Sequence, residues 1–332
     1  MTCVLGSGTW ATAIVKILLE HKDETINWWI REPEIAEGIR KTHHNPCYLS
    51  EIELNANRLH ISGDITEVIK KSDDIFIVIP SAYVAQAFEP VTAAMLARKR
   101  LHSAVKGLLP RHCQTVTDFL RNTYKIPVSR MSVVVGPSHA EETARQRLTY
   151  LTVASRNKNT AEHARKLLQC SFIKTEYSTD IFGIEYSAVL KNIYAIAIGI
   201  CYGLGYGDNL AAVLACNCVE EGASYMRRRL PIGSKSSRPL VHTPYLGDFL
   251  VTAYSHFSRN RTFGVMIGRG YTPKAAQLEM KMVAEGYYAT YSIEAISRLY
   301  SINLPIQHAV YQILYEKAPA AETMAHLLEN LK

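Results

Sequence analysis

The chain of 332 residues is long enough for two domains, at the usual ~100–200 residues per domain. Its hydrophobic fraction of 48% and charged fraction of 20% are those of an ordinary globular protein. The net charge of +7 comes without the long basic runs of nucleic-acid-binding proteins, since the arginine triplet at residues 227–229 stands alone. We therefore expect no nucleic-acid partner, and a positive balance suits small ligands that carry phosphate.

The N-terminus carries a dinucleotide-binding fingerprint. Residues 2–5 predict a short strand that runs into residues 6–11, Gly-Ser-Gly-Thr-Trp-Ala, and an amphipathic helix follows at about residues 12–19. Gly6 makes the tight turn, Gly8 lets the backbone approach a pyrophosphate, and the small third position lets helix and strand pack closely. We expect the pyrophosphate of a dinucleotide to bind at the N-terminus of this helix.

The second predicted strand, residues 26–30, ends at Arg31 and Glu32, and Pro33 then opens a helix. About 20 residues past the fingerprint, a carboxylate binds the ribose 2′-hydroxyl of NAD, whereas an arginine accommodates the 2′-phosphate of NADP. Arg31 tilts the balance slightly toward NADP, and Glu32 leaves NAD open.

Three further apolar runs predict buried parallel strands, and a turn that could contact a ligand follows each of them. The runs are residues 74–79, 101–105 and 131–135, and the turns are Pro80-Ser81, Lys106-Gly107 and residues 136–142. The carboxyl ends of parallel strands meet at one edge of an open α/β sheet, and ligands bind at that edge. These turns are therefore candidate ligand contacts.

The later part of the chain changes its periodicity. Two more strands are predicted at residues 148–154 and 172–177 with a helix between them, and the helical period then dominates to the C-terminus. We predict an α/β domain with a doubly wound sheet over residues 1–179 and an all-helical domain over residues 180–332.

The first long helix of the second half, at residues 183–197, is apolar nearly all the way round and is expected to be buried. Lys191 lies in its middle. A buried ammonium loses hydration, which lowers its pKa and suits it to acid/base chemistry. The alternative is that the amine reaches along the helix to solvent and has no chemical role, which is the commoner outcome for such a lysine alone. A later helix is predicted to open at Thr272-Pro273 and to close at residues 284–286.

Other features bear on location and metals. The seven cysteines are an odd number without paired spacing, and Cys216 and Cys218 have no second ligand pair nearby, so we expect reduced thiols and no metal site. The first strand begins next to Met1, which leaves no room for a signal peptide, and we expect a cytoplasmic protein. The uncharged run at residues 193–207 contains four glycines and is shorter than the ~20 residues of a membrane span, so no membrane insertion is expected.

Six separated motifs occur in the order found in one known family. They are Gly6-Ser7-Gly8-Thr9-Trp10, Lys106-Gly107, Gly136-Pro137-Ser138-x-Ala140-x-Glu142, Lys191-Asn192, Gly247-Asp248 and Ser258-Arg259-Asn260-x-x-x-Gly264. Together they resemble the NAD(P)-dependent glycerol-3-phosphate dehydrogenases of the bacterial, phospholipid-synthesis type, over essentially the whole chain. The resemblance implies a Rossmann-type N-terminal domain, a C-terminal domain like that of 6-phosphogluconate dehydrogenase, and an active site in the cleft between them. It also implies interconversion of dihydroxyacetone phosphate and sn-glycerol 3-phosphate.

The resemblance carries site roles onto matching positions of this chain. The implied catalytic residues are Lys191, as proton donor and acceptor, with Lys106 and Asp248. The expected substrate contacts are Lys106, Gly136, Ser138, Lys191, Asn192, Asp248, Thr252, Ser258, Arg259 and Asn260. The expected contacts of NAD or NADP are Gly6, Gly8, Thr9, Trp10, Arg31, Lys106, Ala140, Arg259, Val283 and Glu285. A homodimer is compatible with the sequence, which does not decide the oligomeric state.

The residues themselves fit this chemistry. Reduction of a ketone requires a general acid near the carbonyl oxygen, and Lys191 fits, with Asp248 either orienting it or accepting from a substrate hydroxyl. For Asp248 alone, a surface-loop aspartate is the alternative. A phosphate dianion is best held by arginine, and Ser258 is a good N-cap that would direct backbone N–H groups of a starting helix toward the anion beside Arg259. The alternative is a surface helix cap, and Arg261 is left unassigned.

The chain departs from the family pattern at three places and leaves two rival functions. Residues 243–246 replace a glycine-rich run, Ala11 replaces a glycine, and residues 216–219 replace a Thr-Arg-Gly-like stretch.

One rival is a reductase of the 3-hydroxyacid or ketopantoate type, which does not need the Ser-Arg-Asn anion site. The other is a dinucleotide sensor without catalysis, against which the retention of both Lys106 and Lys191 argues.

Overall fold

The computed structural model describes residues 1–21, 24–230, 240–280 and 284–331. The chain forms two compact units: unit 1 comprises Met1–Val105 and Val116–Ile181, and unit 2 comprises Lys106–Thr115 and Phe182–Lys332. The sequence prediction placed the segment Lys106–Thr115 in the N-terminal domain. In the structure this segment belongs to the helical unit, in which Asn192 donates a hydrogen bond to the Lys106 carbonyl oxygen at 2.7 Å.

Unit 1 contains an eight-stranded sheet of order β3-β2-β1-β4-β5-β6-β7-β8. The strands are β1 (Thr2–Leu5), β2 (Ile26–Trp29), β3 (Leu59–Ser62), β4 (Asp74–Ile77), β5 (Arg100–Ser103), β6 (Met131–Val135), β7 (Thr149–Ala154) and β8 (Ile173–Ser178). Neighbouring strands are parallel except β6 and β7, which pair antiparallel. The predicted fold class, a doubly wound sheet followed by helices, is confirmed.

Helices pack against the sheet of unit 1. They are α1 (Thr9–Leu18), α2 (Pro33–Thr42), α3 (Ile65–Lys70), α4 (Ser81–Ala87), α5 (Ala93–Leu96), α6 (Val116–Tyr124), α7 (Ala140–Ala144) and α8 (Lys158–Leu168). Eight of the ten residues of α1 are buried, in a core that also contains Trp28 and Phe76. Helix α1 begins at Thr9 rather than at the predicted Thr12, because Gly8 already serves as its N-cap. The fingerprint turn therefore ends directly in the first turn of the helix.

Unit 2 is helical. Its helices are α9 (Ile181–Gly203), α10 (Asp208–Arg229), α11 (Asp248–Tyr254), α12 (Arg259–Gly268), α13 (Pro273–Met280), α14 (Glu285–Leu299), α15 (Pro305–Tyr315) and α16 (Ala320–Leu328), with a π-helical turn at Thr243–Gly247. The prediction that the helix opened near Thr272 closes at residues 284–286 is wrong. Ala284 is the N-cap of α14, and Glu285 stands in the first helical turn, where an acidic side chain is favourable.

Helix α9 is the core helix of unit 2. Its 23 residues are long and apolar enough to cross a membrane by length and composition, but 89% of its most apolar window is buried inside the protein. The uncharged run at residues 193–207 is shorter than a membrane span, whereas the helix itself begins at Ile181 and has 23 residues. Helix α9 is therefore buried as a core helix is, and its length alone does not show whether it spans a membrane.

Four glycines bring α9 and α12 into backbone contact. A Cβ atom on Gly264 of α12 would lie against the Ile196 carbonyl oxygen and 3.0 Å from the Gly199 Cα atom of α9. One turn further along, a Cβ atom on Gly268 would lie 2.9 Å from the Gly203 Cα atom. Because no side chain separates the two helices here, the start of α12 lies beside the middle of α9.

Candidate active site

The dinucleotide loop of unit 1 has the geometry that its sequence predicts. Gly6 has a φ of +121°, and a Cβ atom there would lie 2.5 Å from the Val78 carbonyl oxygen, so the turn requires glycine. Apart from the chain neighbours of Gly8, no atom of the described residues lies within 4 Å of the position that a Cβ atom on Gly8 would occupy. Gly8 caps α1 without a side-chain hydrogen bond, which leaves the helix N-terminus open to an anion. These residues fit the pyrophosphate of a dinucleotide.

Glu32 is tied to this loop. The Ser7 hydroxyl donates to Glu32 Oε2 at 2.7 Å, and Arg31 donates to Glu32 Oε1 through Nε at 3.0 Å and Nη2 at 2.8 Å. Partial burial alone would raise the pKa of the Glu32 carboxyl, but the hydrogen bonds from Ser7 and Arg31 lower it overall, so the group is ionised. The link between Ser7 and Glu32 is absent from the sequence prediction, because Ser7 occupies a variable position of the fingerprint.

The remaining predicted contacts of unit 1 lie at the carboxyl ends of β1 and β6, which point to the same edge of the sheet. A Cβ atom on Gly136 would lie against the Tyr150 carbonyl oxygen, so glycine is required there. The Ser138 hydroxyl donates to the Gly136 carbonyl oxygen at 3.0 Å, and Ala140 begins α7. Thr9 and Trp10 form the start of α1.

Lys191 is buried in unit 2. Its side chain is 5% exposed, and its Nζ atom lies 2.5 Å from Asp248 Oδ1 and donates to Thr252 Oγ1 at 2.9 Å. Burial lowers the pKa of Lys191 to about 7; the negative charge of Asp248 opposes this shift, and the positive charge of Lys106 adds to it. The alternative that the amine reaches solvent is therefore wrong. Thr252 donates in turn to the Asp248 carbonyl oxygen at 2.7 Å, so its hydroxyl orientation suits the lysine.

Asp248 accepts from two lysines with one oxygen. Asp248 is fully buried, and its Oδ1 atom lies 2.5 Å from Lys191 Nζ and 3.2 Å from Lys106 Nζ. Oδ2 is buried as well and has no hydrogen-bond partner among the described residues. The surface-loop alternative for Asp248 is thus wrong. A buried carboxylate oxygen without a donor is a natural acceptor for a ligand hydroxyl.

Two asparagines connect four segments of unit 2. Asn192 Nδ2 donates to the Lys106 carbonyl oxygen at 2.7 Å, and Asn260 Nδ2 donates to Asn192 Oδ1 at 2.9 Å. The Gly286 backbone N–H then donates to Asn260 Oδ1 at 2.9 Å, which joins the start of α14 to the start of α12. Each side-chain amide keeps a second N–H. The sequence prediction had these asparagines as substrate contacts and missed their structural hydrogen bonds.

The predicted anion site lies at the start of α12. Ser258 is the N-cap, and its hydroxyl accepts from the Arg261 backbone N–H at 3.3 Å. Arg259 is exposed at the first helical position, whereas the Arg261 guanidinium lies over the Tyr202 ring, 4.6 Å from its centroid. Of these two arginines, Arg259 is therefore the one presented to a ligand. Glu285 begins α14, and the predicted contact Val283 lies outside the described residues.

These features define a class of protein. The chain combines a doubly wound sheet and an open dinucleotide loop with a helical unit that buries a lysine–aspartate pair. This combination is typical of NAD(P)-dependent dehydrogenases. Within the described ranges, no group of three or more His, Cys, Asp or Glu side chains is placed to hold a metal ion.

Comparison with known proteins narrows this class to one family. Models of the NAD-dependent glycerol-3-phosphate dehydrogenase N-terminus and C-terminus match residues 1–161 and 180–325. Curated glycerol-3-phosphate dehydrogenases [NAD(P)+] from Agathobacter rectalis and Salinibacter ruber are 31% and 32% identical, over 98% of this chain and 94% and 93% of their own lengths. A crystal structure of glycerol-3-phosphate dehydrogenase from Coxiella burnetii is 27% identical, with a TM-score of 0.89 over 99% of this chain and 98% of that one. The chain belongs to the NAD-dependent glycerol-3-phosphate dehydrogenase family.

Proposed function

We propose that this protein catalyses the reversible reduction of dihydroxyacetone phosphate to sn-glycerol 3-phosphate, with Lys191 as proton donor and acceptor. The observation that carries the proposal is the buried contact of Lys191 with Asp248 and Thr252, which leaves the lysine with a pKa of about 7. An acid whose pKa lies near the working pH is the most effective proton donor. The names of its relatives support the substrate and the use of NAD(P).

The residues of unit 2 divide the chemistry between them. A bound nicotinamide supplies the hydride. Lys191 gives its proton to the carbonyl oxygen of the substrate as the alkoxide forms, while Asp248 and Thr252 hold the amine in position. Asp248 Oδ2, which has no partner among the described residues, accepts the hydrogen bond of the substrate hydroxyl. Lys106, positioned by Asn192, adds a second cation beside the reacting carbonyl.

The substrate phosphate is assigned to the start of α12, where Arg259 and the capped helix N-terminus converge. Purified protein should oxidise NADH or NADPH with dihydroxyacetone phosphate and show negligible activity with unphosphorylated dihydroxyacetone. Equal rates with both ketones would exclude the phosphate site and favour a ketopantoate-type or hydroxyacid reductase. Binding of cofactor without turnover on any ketone would favour a sensor.

Arg259→Ala should raise the KM for dihydroxyacetone phosphate by about tenfold to a hundredfold, because hydrogen bonds to a charged group contribute ~1.5–3 kcal/mol. Steady-state kinetics at saturating NADH would measure it. Arg269→Ala removes an exposed arginine from the other end of the same helix and should leave KM unchanged. An unchanged KM for Arg259→Ala would contradict the assigned role.

Asp248→Asn should shift the pH dependence of ketone reduction toward lower pH. Lys191 must be protonated to donate, so reduction should decline above about pH 7 in the wild type. The Asp248 charge raises the pKa of Lys191, and its removal should move this decline down by at least about one pH unit. Profiles of kcat/KM against pH measure the shift, with Glu279→Gln, an exposed carboxylate of α13, as control. A decline that stays at the wild-type pH would show that Lys191 is not the titrating acid.

Further parts of the proposal follow from the family. We assign cofactor binding to residues 1–179 and substrate binding to residues 180–332, and we expect a cytoplasmic protein without membrane insertion that supplies glycerophospholipid synthesis. A homodimer is the expected assembly, which sedimentation equilibrium would test.

A further inference from the structure

We infer that Glu32 makes this protein prefer NADH over NADPH. The inference rests on the proposed function, since it concerns which nicotinamide dinucleotide the fingerprint loop of unit 1 accepts. It also reverses the slight preference for NADP that Arg31 suggests when only the sequence is considered.

The position of Glu32 is the first step. It lies just beyond the carboxyl end of β2 and immediately before α2, where Rossmann-type proteins read the 2′ position of the adenosine ribose. Its side chain does not cap α2. Instead, its Oε2 atom accepts from the Ser7 hydroxyl at 2.7 Å, so the carboxylate is held against the dinucleotide loop itself.

The charge of Glu32 is the second step. A carboxylate accepts a hydrogen bond from a ribose 2′-hydroxyl but repels a 2′-phosphate. The hydrogen bonds from Ser7 and Arg31 keep the pKa of Glu32 below its ordinary value despite partial burial, so the repelling charge is present at neutral pH. Its side chain is 27% exposed, which leaves it accessible to a ribose.

The state of Arg31 is the third step. Its guanidinium makes two hydrogen bonds to Glu32 Oε1, at 3.0 Å and 2.8 Å, and lies 5.8 Å from the centroid of the Tyr83 ring. The Arg31 guanidinium is thus already bound to one oxygen of Glu32, while Oε2 of the same carboxylate faces the dinucleotide loop at Ser7. To bind Arg31, a 2′-phosphate would have to break the hydrogen bonds between Arg31 and Glu32. It would then lie next to the negatively charged carboxylate of Glu32. Arg31 is therefore not available to bind the 2′-phosphate of NADP in the way that an unpaired arginine at this position would be.

Direct binding measurements test the inference without turnover. Dissociation constants of NADH and NADPH would be measured by isothermal titration calorimetry for the wild type, Glu32→Gln, the double variant Arg31→Ala/Glu32→Gln, and Glu34→Gln. Glu34 is an exposed carboxylate in the first turn of α2 and serves as the matched control. The fragments 5′-ADP and 2′,5′-ADP repeat the comparison without nicotinamide.

The wild type should bind NADH at least about tenfold more tightly than NADPH. Glu32→Gln should reduce the ratio of the NADPH to the NADH dissociation constant at least tenfold, mainly because the released Arg31 binds NADPH more tightly. The double variant, which lacks Arg31, should not show this tighter binding of NADPH. Glu34→Gln should keep the wild-type ratio. Tighter binding of NADPH by the wild type, or an unchanged ratio in Glu32→Gln, would overturn the inference and leave the proposed function standing. Failure to bind either dinucleotide would overturn both.

Discussion

Lys191→Ala is expected to reduce the turnover of dihydroxyacetone phosphate about a thousandfold while the affinity for NADH stays within about twofold of the wild-type value. A positioned general acid contributes ~10²- to 10⁴-fold to rate. Lys191 belongs to unit 2, and the dinucleotide loop belongs to unit 1, so its removal leaves the pyrophosphate site intact. Steady-state kinetics and a fluorescence titration with NADH measure the two quantities separately.

Lys106 is not expected to replace the lost amine. Its Nζ atom lies 3.2 Å from Asp248 Oδ1, its side chain is 20% exposed, and its carbonyl oxygen is held by Asn192. Its Nζ atom lies farther from Asp248 Oδ1 than the 2.5 Å of Lys191 Nζ, so its ammonium does not occupy the position of the lost amine. Removal of Lys191 should leave Lys106 paired with Asp248 as a binding group.

Two comparisons make the result specific. Lys274→Ala removes an exposed ammonium from α13 of the same unit and should change neither quantity. Added methylammonium should restore part of the activity of Lys191→Ala in proportion to its concentration, because it supplies a proton donor to the vacated space. A variant that keeps more than a tenth of wild-type turnover would show that the proton comes from another group.

Much of the fold was predictable because buried strands are apolar runs. The predicted run at residues 131–135 coincides with β6, and those of β2 and β7 differ from the structure by one residue at one end. Strand β3 was missed because Leu59–Ser62 has only one buried residue, Ile61, and no apolar run. Its pairing with β2 makes it a strand, and that pairing is a long-range interaction that local pattern does not report.

Single residues of the candidate site could be picked out from the sequence, but the hydrogen bonds between distant positions could not. Lys191 is visible as a charge within an apolar helix, whereas the hydrogen bond from Asn192 to the Lys106 carbonyl oxygen joins positions 86 residues apart and leaves no local signal. Thr252 was expected as a substrate contact, and its hydrogen bond from Lys191 was not foreseen although the spacing indicates it. Thr252 follows Asp248 by four residues, so both lie on one face of α11 and can contact the same amine.

Gly264→Ala is expected to lower the free energy of unfolding by about 1–2 kcal/mol and to reduce kcat/KM. Its Cβ atom would lie against the Ile196 carbonyl oxygen and 3.0 Å from the Gly199 Cα atom, and both are backbone atoms that cannot rotate away. Overpacking of this kind costs ~1–3 kcal/mol and occasionally more, and the ~1 kcal/mol gained in helix propensity offsets only part of it. Thermal unfolding should show a midpoint lower by about 2–8 °C.

The loss of activity has a separate cause from the loss of stability. Helices α9 and α12 must move apart to admit the methyl group, which lengthens the 2.9 Å hydrogen bond between Asn260 and Asn192 and shifts Arg259, the residue before Asn260. Gly222→Ala is the matched control, because the nearest neighbours of its Cβ atom would be side-chain atoms of Tyr194 at 3.5 Å and Leu190 at 3.9 Å, which are ordinary contacts. That variant should be as stable as the wild type or slightly more so. If Gly264→Ala matched Gly222→Ala in both stability and kcat/KM, the glycine contact could not be what positions the start of α12, the proposed phosphate site, relative to Lys191, the proposed proton donor.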